Sequence, residues 1–244
     1  MLRRLERQHG RRAFAAIERP LDVLVRQMLA QNTSWRNAAE GFRRLKRDLP
    51  TWQAVLDAEV EQVRRAIGVC GLGAMRARRL QALLGRLVAE RGRLSLAFVG
   101  RMSVPEARTY LMSFHGIGPK TVDCTLLFAF GMPVFPVDKG IWRLARRLRI
   151  VPAKASEPRV ATAIERATVN TSGRRYALHV LMYEHAKEIC RPKNPKCDAC
   201  RLLPSCPYGQ RRLRHLAEPE APRRGLKLPA RWVSAGLRRL EPDD

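Results

Sequence analysis

Phe114-His115-Gly116-Ile117-Gly118-Pro119-Lys120-Thr121 lies between two stretches of helical periodicity. Before it, Ser103-Val-Pro-Glu106 has the spacing of a capping box with proline in the first turn, which predicts a helix from Ser103 to Phe114. After it, a second helix is expected from Lys120 to about Phe130. Gly116 and Gly118 allow positive φ angles and can turn successive N–H groups outward at the start of that helix, where an anion is favoured. The stretch is read as helix, glycine hairpin, helix, with Ile117 at the tip. Taken alone, the same pattern also fits a plain interhelical turn.

Outward from the hairpin, apolar residues make up 45% of the sequence and recur almost throughout at helical spacing, with few runs rich in Val, Ile, Thr and Tyr. An all-α protein is expected. An amphipathic helix over 1–19 is closed by Pro20, and Leu21–Ala30 is apolar on nearly all sides, as in a helix central to a core. Thr33 or Ser34 is expected to cap a helix to about Leu49, followed by helices over Thr51–Ile67 and Met75–Arg91. Met132-Pro-Val-Phe-Pro-Val137 is too proline-rich for helix, and Asp138 opens another to about Arg149. Two more are expected near Glu157–Thr168 and Arg174–Ile189, and 211–244 reads as a basic, partly disordered tail.

Lys and Arg number 47 against 22 Asp and Glu, a net charge of +25, which attracts a polyanion and makes nucleic acid the leading partner. Solvated arginine-rich helix faces are the blander source of such a count. The opening Met-Leu-Arg-Arg-Leu-Glu-Arg lacks the apolar centre of a signal peptide, and no apolar run reaches the roughly 18 residues of a membrane helix. A soluble, cytoplasmic, monomeric protein is expected, with no membrane contact. In a reducing compartment six cysteines are free thiols or metal ligands rather than disulfides.

Four of them, Cys190, Cys197, Cys200 and Cys206, follow one another as C-x6-C-x2-C-x5-C. Thiolates are soft donors, and four in one compact loop suit an iron–sulfur cluster or a tetrahedral zinc. Zinc ribbons offer two C-x2-C pairs, whereas only the central pair has that form here, which favours the cluster. Cys70 and Cys124 stand in apolar helical contexts and read as buried thiols.

This cysteine spacing after a helix, together with Gly116-Ile-Gly-Pro-Lys120 and Pro136-Val-Asp138, resembles the endonuclease III family of helix-hairpin-helix DNA glycosylases. The resemblance covers roughly residues 1–209. It implies two helical domains flanking a DNA-binding cleft: a six-helix domain over 20–132, and a domain combining 1–19 with 133–210 that carries a 4Fe-4S cluster. It implies a bifunctional DNA glycosylase and AP lyase that excises oxidised pyrimidines from double-stranded DNA and cleaves abasic sites by β-elimination. Lys120 then corresponds to the nucleophile and Asp138 to the catalytic carboxylate, although Asp138 also reads as a helix cap and Lys120 as a phosphate contact. Gln31 resembles the family's gap-filling glutamine and Leu72 its intercalating leucine; a polar helix end and a core leucine are the plainer readings. His115, Gly116, Ile117 and Gly118 of the hairpin, and Arg191, Lys193 and Lys196 between the first two cysteines, are the implied DNA contacts.

Two departures bear on substrate choice. Phe114-His115 replaces the family's usual Leu-Pro, and Gly140 stands where a histidine often lies two residues after the aspartate. An altered or weakened lesion preference is therefore expected. Other readings are a glycosylase acting on uracil or thymine opposite guanine, an adenine glycosylase, or a DNA-binding relative with little or no activity.

Overall fold

The structure, a computed structural model, describes residues 1–13, 19–168 and 172–217, and every regular element among them is helical. The α-helices are α1 Leu2–His9, α2 Pro20–Leu29, α3 Trp35–Asp48, α4 Trp52–Asp57, α5 Val60–Ile67, α6 Gly73–Arg91, α7 Val104–Met112, α8 Pro119–Phe130, α9 Lys139–Arg147, α10 Glu157–Ala167, α11 Ser172–Glu188 and α12 Pro207–Ala217. None of them is long and apolar enough to cross a membrane.

The helix starts follow the caps read from the sequence. Ser34 Oγ accepts from the Asn37 N–H (3.1 Å), and Ser103 and Glu106 close a reciprocal capping box at the head of α7. Three expectations fail for local reasons. The helix expected over 1–19 ends at His9, because Gly10 takes φ +83° and leaves the helical path; Phe14 and Ile17, read as its apolar face, lie outside the described residues. The helix expected over Thr51–Ile67 is two, since Ala58 is extended (ψ 151°) and the Gln62 carboxamide accepts from the Glu59 N–H at 3.2 Å, beginning a new helix there. At the other end, α12 runs on through 211–217, where tail is expected, with Pro207 at its first turn; the rest of the expected tail, 218–244, lies outside the described residues.

Buried apolar side chains fall into two clusters. One is built from α2 to α8 and includes Leu24, Leu84, Leu111, Leu126 and Val134; α2 packs directly on α8. The other takes Leu5 from α1, Phe135, Ile141 from α9, and Leu181 and Met182 from α11. After α8 the backbone passes from the first cluster to the second at one peptide, Val134–Phe135. There a carboxylate oxygen of Glu165 on α10 accepts from the Phe135 N–H (2.8 Å), so the crossing leaves no buried donor unpaired. Asp138 lies three residues beyond it.

Leu5 is fully buried, and α1 packs along α11. Leu5→Ala should cost about 2–5 kcal/mol in denaturant unfolding. A loss under about 1 kcal/mol would show that the site tolerates truncation and that α1 is a loosely docked element.

Candidate active site and cysteine loop

Two helix starts set the site. Pro119 opens α8 directly after the hairpin and Lys120 follows it on the rim of a cleft of about 830 Å³. Asp138 N-caps α9: its Oδ1 accepts from the Ile141 N–H at 2.7 Å, so one carboxylate oxygen is held by the backbone. The other, Oδ2, is 4.0 Å from Lys120 Nζ. Asp138 is 17% exposed at its side chain and Lys120 52%, so the ammonium is reached by water while the carboxylate is largely shielded.

The hairpin differs from expectation at one glycine. Gly116 has φ +80°, and a Cβ there would come within 3.0–3.1 Å of the Arg79 side chain. Gly118 instead has φ −101° and ψ 171°, an ordinary extended cap conformation, with nothing within 4 Å of a Cβ position. Gly118 is therefore not needed for the turn. The Ile117 side chain is buried and its N–H donates to Phe114 O (3.2 Å), whereas among the described residues the amides of Gly116, Gly118 and Lys120 meet no protein acceptor. His115 is exposed. Phe114, the departure from Leu-Pro, is buried with Arg86 stacked 4.5 Å over its ring, so it contributes packing rather than contact.

Gln31 reaches the hairpin: its Nε2 donates to Gly116 O at 2.9 Å and to Thr121 Oγ1 at 3.2 Å. It thus ties the end of α2 to the start of α8 on the cleft wall. The core reading of Leu72 fails. It is 59% exposed and sits in the left-handed region (φ +50°), between Gly71 and α6.

Arg108 on α7, Asp123 on α8 and Glu165 on α10 form a polar wall of the same cleft that the sequence reading missed. Arg108 Nε donates to Asp123 Oδ1 at 2.8 Å and Nη2 to Glu165 Oε1 at 3.4 Å. Burial pushes the Asp123 carboxyl above the usual carboxylate range, with the Arg108 hydrogen bond and charge opposing that shift. Asp123 follows Lys120 by three residues on one helix, a spacing that was visible; its partners come from 15 and 42 residues away and were not.

The four cysteines of the loop line one pocket with Leu144, Leu148 and Leu202. N–H groups point at two of the sulfurs: Arg147 Nη1 lies 3.3 Å from Cys190 Sγ and the Gly209 amide 3.4 Å from Cys206 Sγ, while His185 Nε2 is within 3.4 Å of Cys200 Sγ. Burial pushes the Cys200 thiol up to about 11, and raises Cys197 too, with the neighbouring thiolates adding to both. Four thiolates here thus call for positive charge at their centre. Among the described residues no three ligating side chains converge tightly enough for a single ion. Four cysteines gathered round one pocket, with N–H donors near two of their sulfurs, make a soft donor set that fits a thiolate-bound metal group. Arg191, Lys193 and Lys196 are exposed on the loop.

The loop is carried by α9. Arg143 donates to Cys190 O (3.0 Å) and Ala186 O (2.9 Å), and Arg147 to Arg191 O (2.8 Å) and Pro192 O (3.2 Å). These two arginines were also missed, although their i, i+4 spacing places them on one helix face. Cys70 and Cys124 are buried, as expected; burial pushes Cys124 up to about 12.

A helix-hairpin-helix with a lysine after the hairpin, facing a helix-capping aspartate across a cleft, defines the site architecture of a DNA glycosylase fold. The protein belongs to the HhH-GPD superfamily of base excision DNA repair proteins, whose family profile matches residues 25–168. It is 38% identical over 173 residues to the Arabidopsis thaliana protein named "Putative DNA glycosylase At3g47830", and 27% identical over 193 residues to the endonuclease III of Thermotoga maritima. These matches cover 71% and 79% of this protein, and 58% and 85% of the relatives. Against the DNA glycosylase/AP lyase ROS1 of Arabidopsis thaliana, 30% identical over 198 residues, the match spans only 14% of the relative's length. The fold matches that in an endonuclease III–DNA complex with a TM-score of 0.72 at 22% identity, covering 87% of this protein and 95% of the other.

Gly140 has a packing cause. A Cβ there would lie 3.0 Å from the Ala186 Cβ and 3.2 Å from Asp138 Oδ1, because α9 and α11 approach closely. Gly140→His should be destabilising by about 1–3 kcal/mol from overpacking, partly offset by better helix propensity. Adding Ala186→Gly should restore part of that loss, giving a favourable coupling of about 1 kcal/mol or more in a double-mutant cycle. Additive effects would mean that Ala186 is not what excludes a larger residue at 140.

Proposed function

We propose that the protein is a bifunctional DNA glycosylase and AP lyase acting on duplex DNA, with Lys120 as nucleophile and Asp138 as its proton acceptor. The pairing of Lys120 Nζ with Asp138 Oδ2 across 4.0 Å, beside the hairpin and on the wall of a cleft large enough for an extruded nucleotide, carries this reading. In the absence of DNA the Lys120 end of the pair is open to water, while Asp138 is largely shielded. A nucleotide filling the cleft displaces that water, which disfavours both charges and favours transfer of the proton from Nζ to Oδ2. The free amine attacks C1′, a C–N bond forms, and the glycosidic bond breaks with its electron pair leaving on the base. The C1′–O4′ bond then breaks as the new ammonium gives a proton to O4′, which leaves an open-chain protonated imine at C1′. Loss of a C2′ proton then expels the 3′ phosphate.

The free amides of Gly116, Gly118 and Lys120 supply phosphate donors, and open space over Gly118 lets a phosphate approach its backbone. Exposed Leu72 is placed to fill the gap left by the flipped nucleotide, with Gln31 on the cleft side. Cys190, Cys197, Cys200 and Cys206 would hold a 4Fe-4S cluster, which in this reading supplies a rigid core for the loop bearing Arg191, Lys193 and Lys196. Oxidised pyrimidines are the leading substrates.

Borohydride should trap the wild-type protein on an abasic duplex, and Lys120→Ala should give no adduct. A persisting adduct would move the nucleophile to another amine. Asp138→Asn tests the second role separately, because asparagine caps helices as well as aspartate does. It should melt within about 0.5 kcal/mol of wild type yet excise a base about 100-fold or more slowly. Full activity in that variant would reduce Asp138 to a cap. Purified protein should be brown; a colourless, zinc-containing protein would remove the iron–sulfur assignment.

A further inference from the structure

The wall formed by Arg108, Asp123 and Glu165 is not used by the lyase chemistry. It stands in the cleft that Lys120 and Asp138 also line. Each of its members is hydrogen-bonded and has another polar atom to spare. Asp123 Oδ1 and Glu165 Oε1 are taken by Arg108, and Glu165 Oε1 also by the Phe135 amide. Among the described residues, Asp123 Oδ2, Glu165 Oε2 and Arg108 Nη1 have no protein partner, and all three residues line the cleft. In a protein of net charge +25, this wall carries two carboxylates for one guanidinium.

We propose that this wall reads the edge of the flipped base farthest from the sugar, and that it selects a base with an exocyclic amine at pyrimidine C4 or purine C6. The inference rests on the glycosylase reading above. The glycosidic carbon must come to Lys120, which leaves the far edge of the base to meet other parts of the cleft lining, to which this wall belongs. Ionised carboxylates only accept hydrogen bonds, and guanidinium only donates. An exocyclic amine offers two N–H groups to two carboxylate oxygens, while the adjacent unprotonated ring nitrogen accepts from Arg108. A base with an oxo group at that position sets an oxygen against a carboxylate and an N–H against a guanidinium. Arg108 cannot swing away to relieve the mismatch without giving up its bonds to both acids. A site built on hydrogen bonds of this kind rejects the mismatched analogue more strongly than an apolar pocket does.

Matched duplexes that differ only in this group test the idea: 5-hydroxycytosine against 5-hydroxyuracil, and adenine against hypoxanthine, each opposite guanine. Excision is read by alkaline strand cleavage, so no lyase step is required. The wild-type protein should favour the amino member of at least one pair by about tenfold or more, and the pair that does so distinguishes a pyrimidine from a purine substrate. Asp123→Asn and Glu165→Gln should each lower that preference several-fold. The ratio within one variant cancels any loss of folded protein. Equal excision, or preference for the oxo member in both pairs, overturns the inference. So does excision of none of the four bases. Trapping on an abasic duplex, which contains no base, separates the two failures. An adduct there with no amino preference leaves the lyase standing and removes only the base-reading role of the wall. Amino preference without an adduct keeps the wall and removes the lyase.

Discussion

The hydrogen bond from the Ile141 N–H to Asp138 Oδ1 does two things at once. It starts α9, and it leaves only one carboxylate oxygen to face Lys120. Everything α9 carries is then placed relative to that carboxylate. One turn on, Arg143 grips the carbonyls of Ala186 and Cys190, and a turn later Arg147 grips those of Arg191 and Pro192. A helix of nine residues thus joins the reactive pair at its N-terminus to the cysteine loop at its C-terminus. Gly140 permits this geometry, because the close approach of Ala186 on α11 leaves no room for a larger residue. In this protein the helix contact occupies the space that a side chain at 140 would need.

Much of the basic charge has structural work that a count cannot reveal. Arg76 is buried and holds the carbonyls of Leu29 and Gln31, so its guanidinium satisfies the acceptors left open where α2 ends. Arg86, Arg91 and Arg146 lie over the rings of Phe114, Phe98 and Trp142. Arg175 holds carbonyls at the end of α10, and Arg143 and Arg147 hold the cysteine loop. A planar fork that donates to several carbonyls and stacks on a ring suits these positions in a way that lysine does not. The charge seen from outside remains large, but it is not all a nucleic-acid surface. Within the cleft the local balance is reversed at the Asp123–Glu165 wall.

What the sequence made legible was local. Caps at Ser34, Ser103 and Asp138, the hairpin before Lys120 and the cysteine spacing depend on residues a few positions apart, and periodicity identified most helices. Where the reading failed locally, a small feature had been overlooked: Gly10 ending α1, and Glu59 with Gln62 dividing one apolar pattern into two helices. The longer-range failures have a different origin. Arg108, Asp123 and Glu165 meet only because α7, α8 and α10 come together at one cleft wall, and no pattern within any of these helices marks the meeting. Gly140 looked like a departure in chemistry until Ala186, 46 residues away in sequence, supplied a packing reason.

Three features have no use in the free protein. Leu72 is a branched apolar residue, mostly exposed, held at φ +50°, a conformation about 1–2 kcal/mol less favourable than the right-handed region for any residue but glycine. Gly118 adopts a conformation open to any residue and faces empty space. Lys120 is half exposed beside a carboxylate, a setting in which water stabilises the ammonium rather than the amine. Each is accounted for by the same missing surface. In the proposed reading, a duplex lying over the cleft would bring a phosphate against the Gly118 backbone, give Leu72 a gap to fill and strip water from Lys120. On the proposed reading such a site is left incomplete by folding and finished by its substrate, so that reactivity at Lys120 would develop only where DNA already lies.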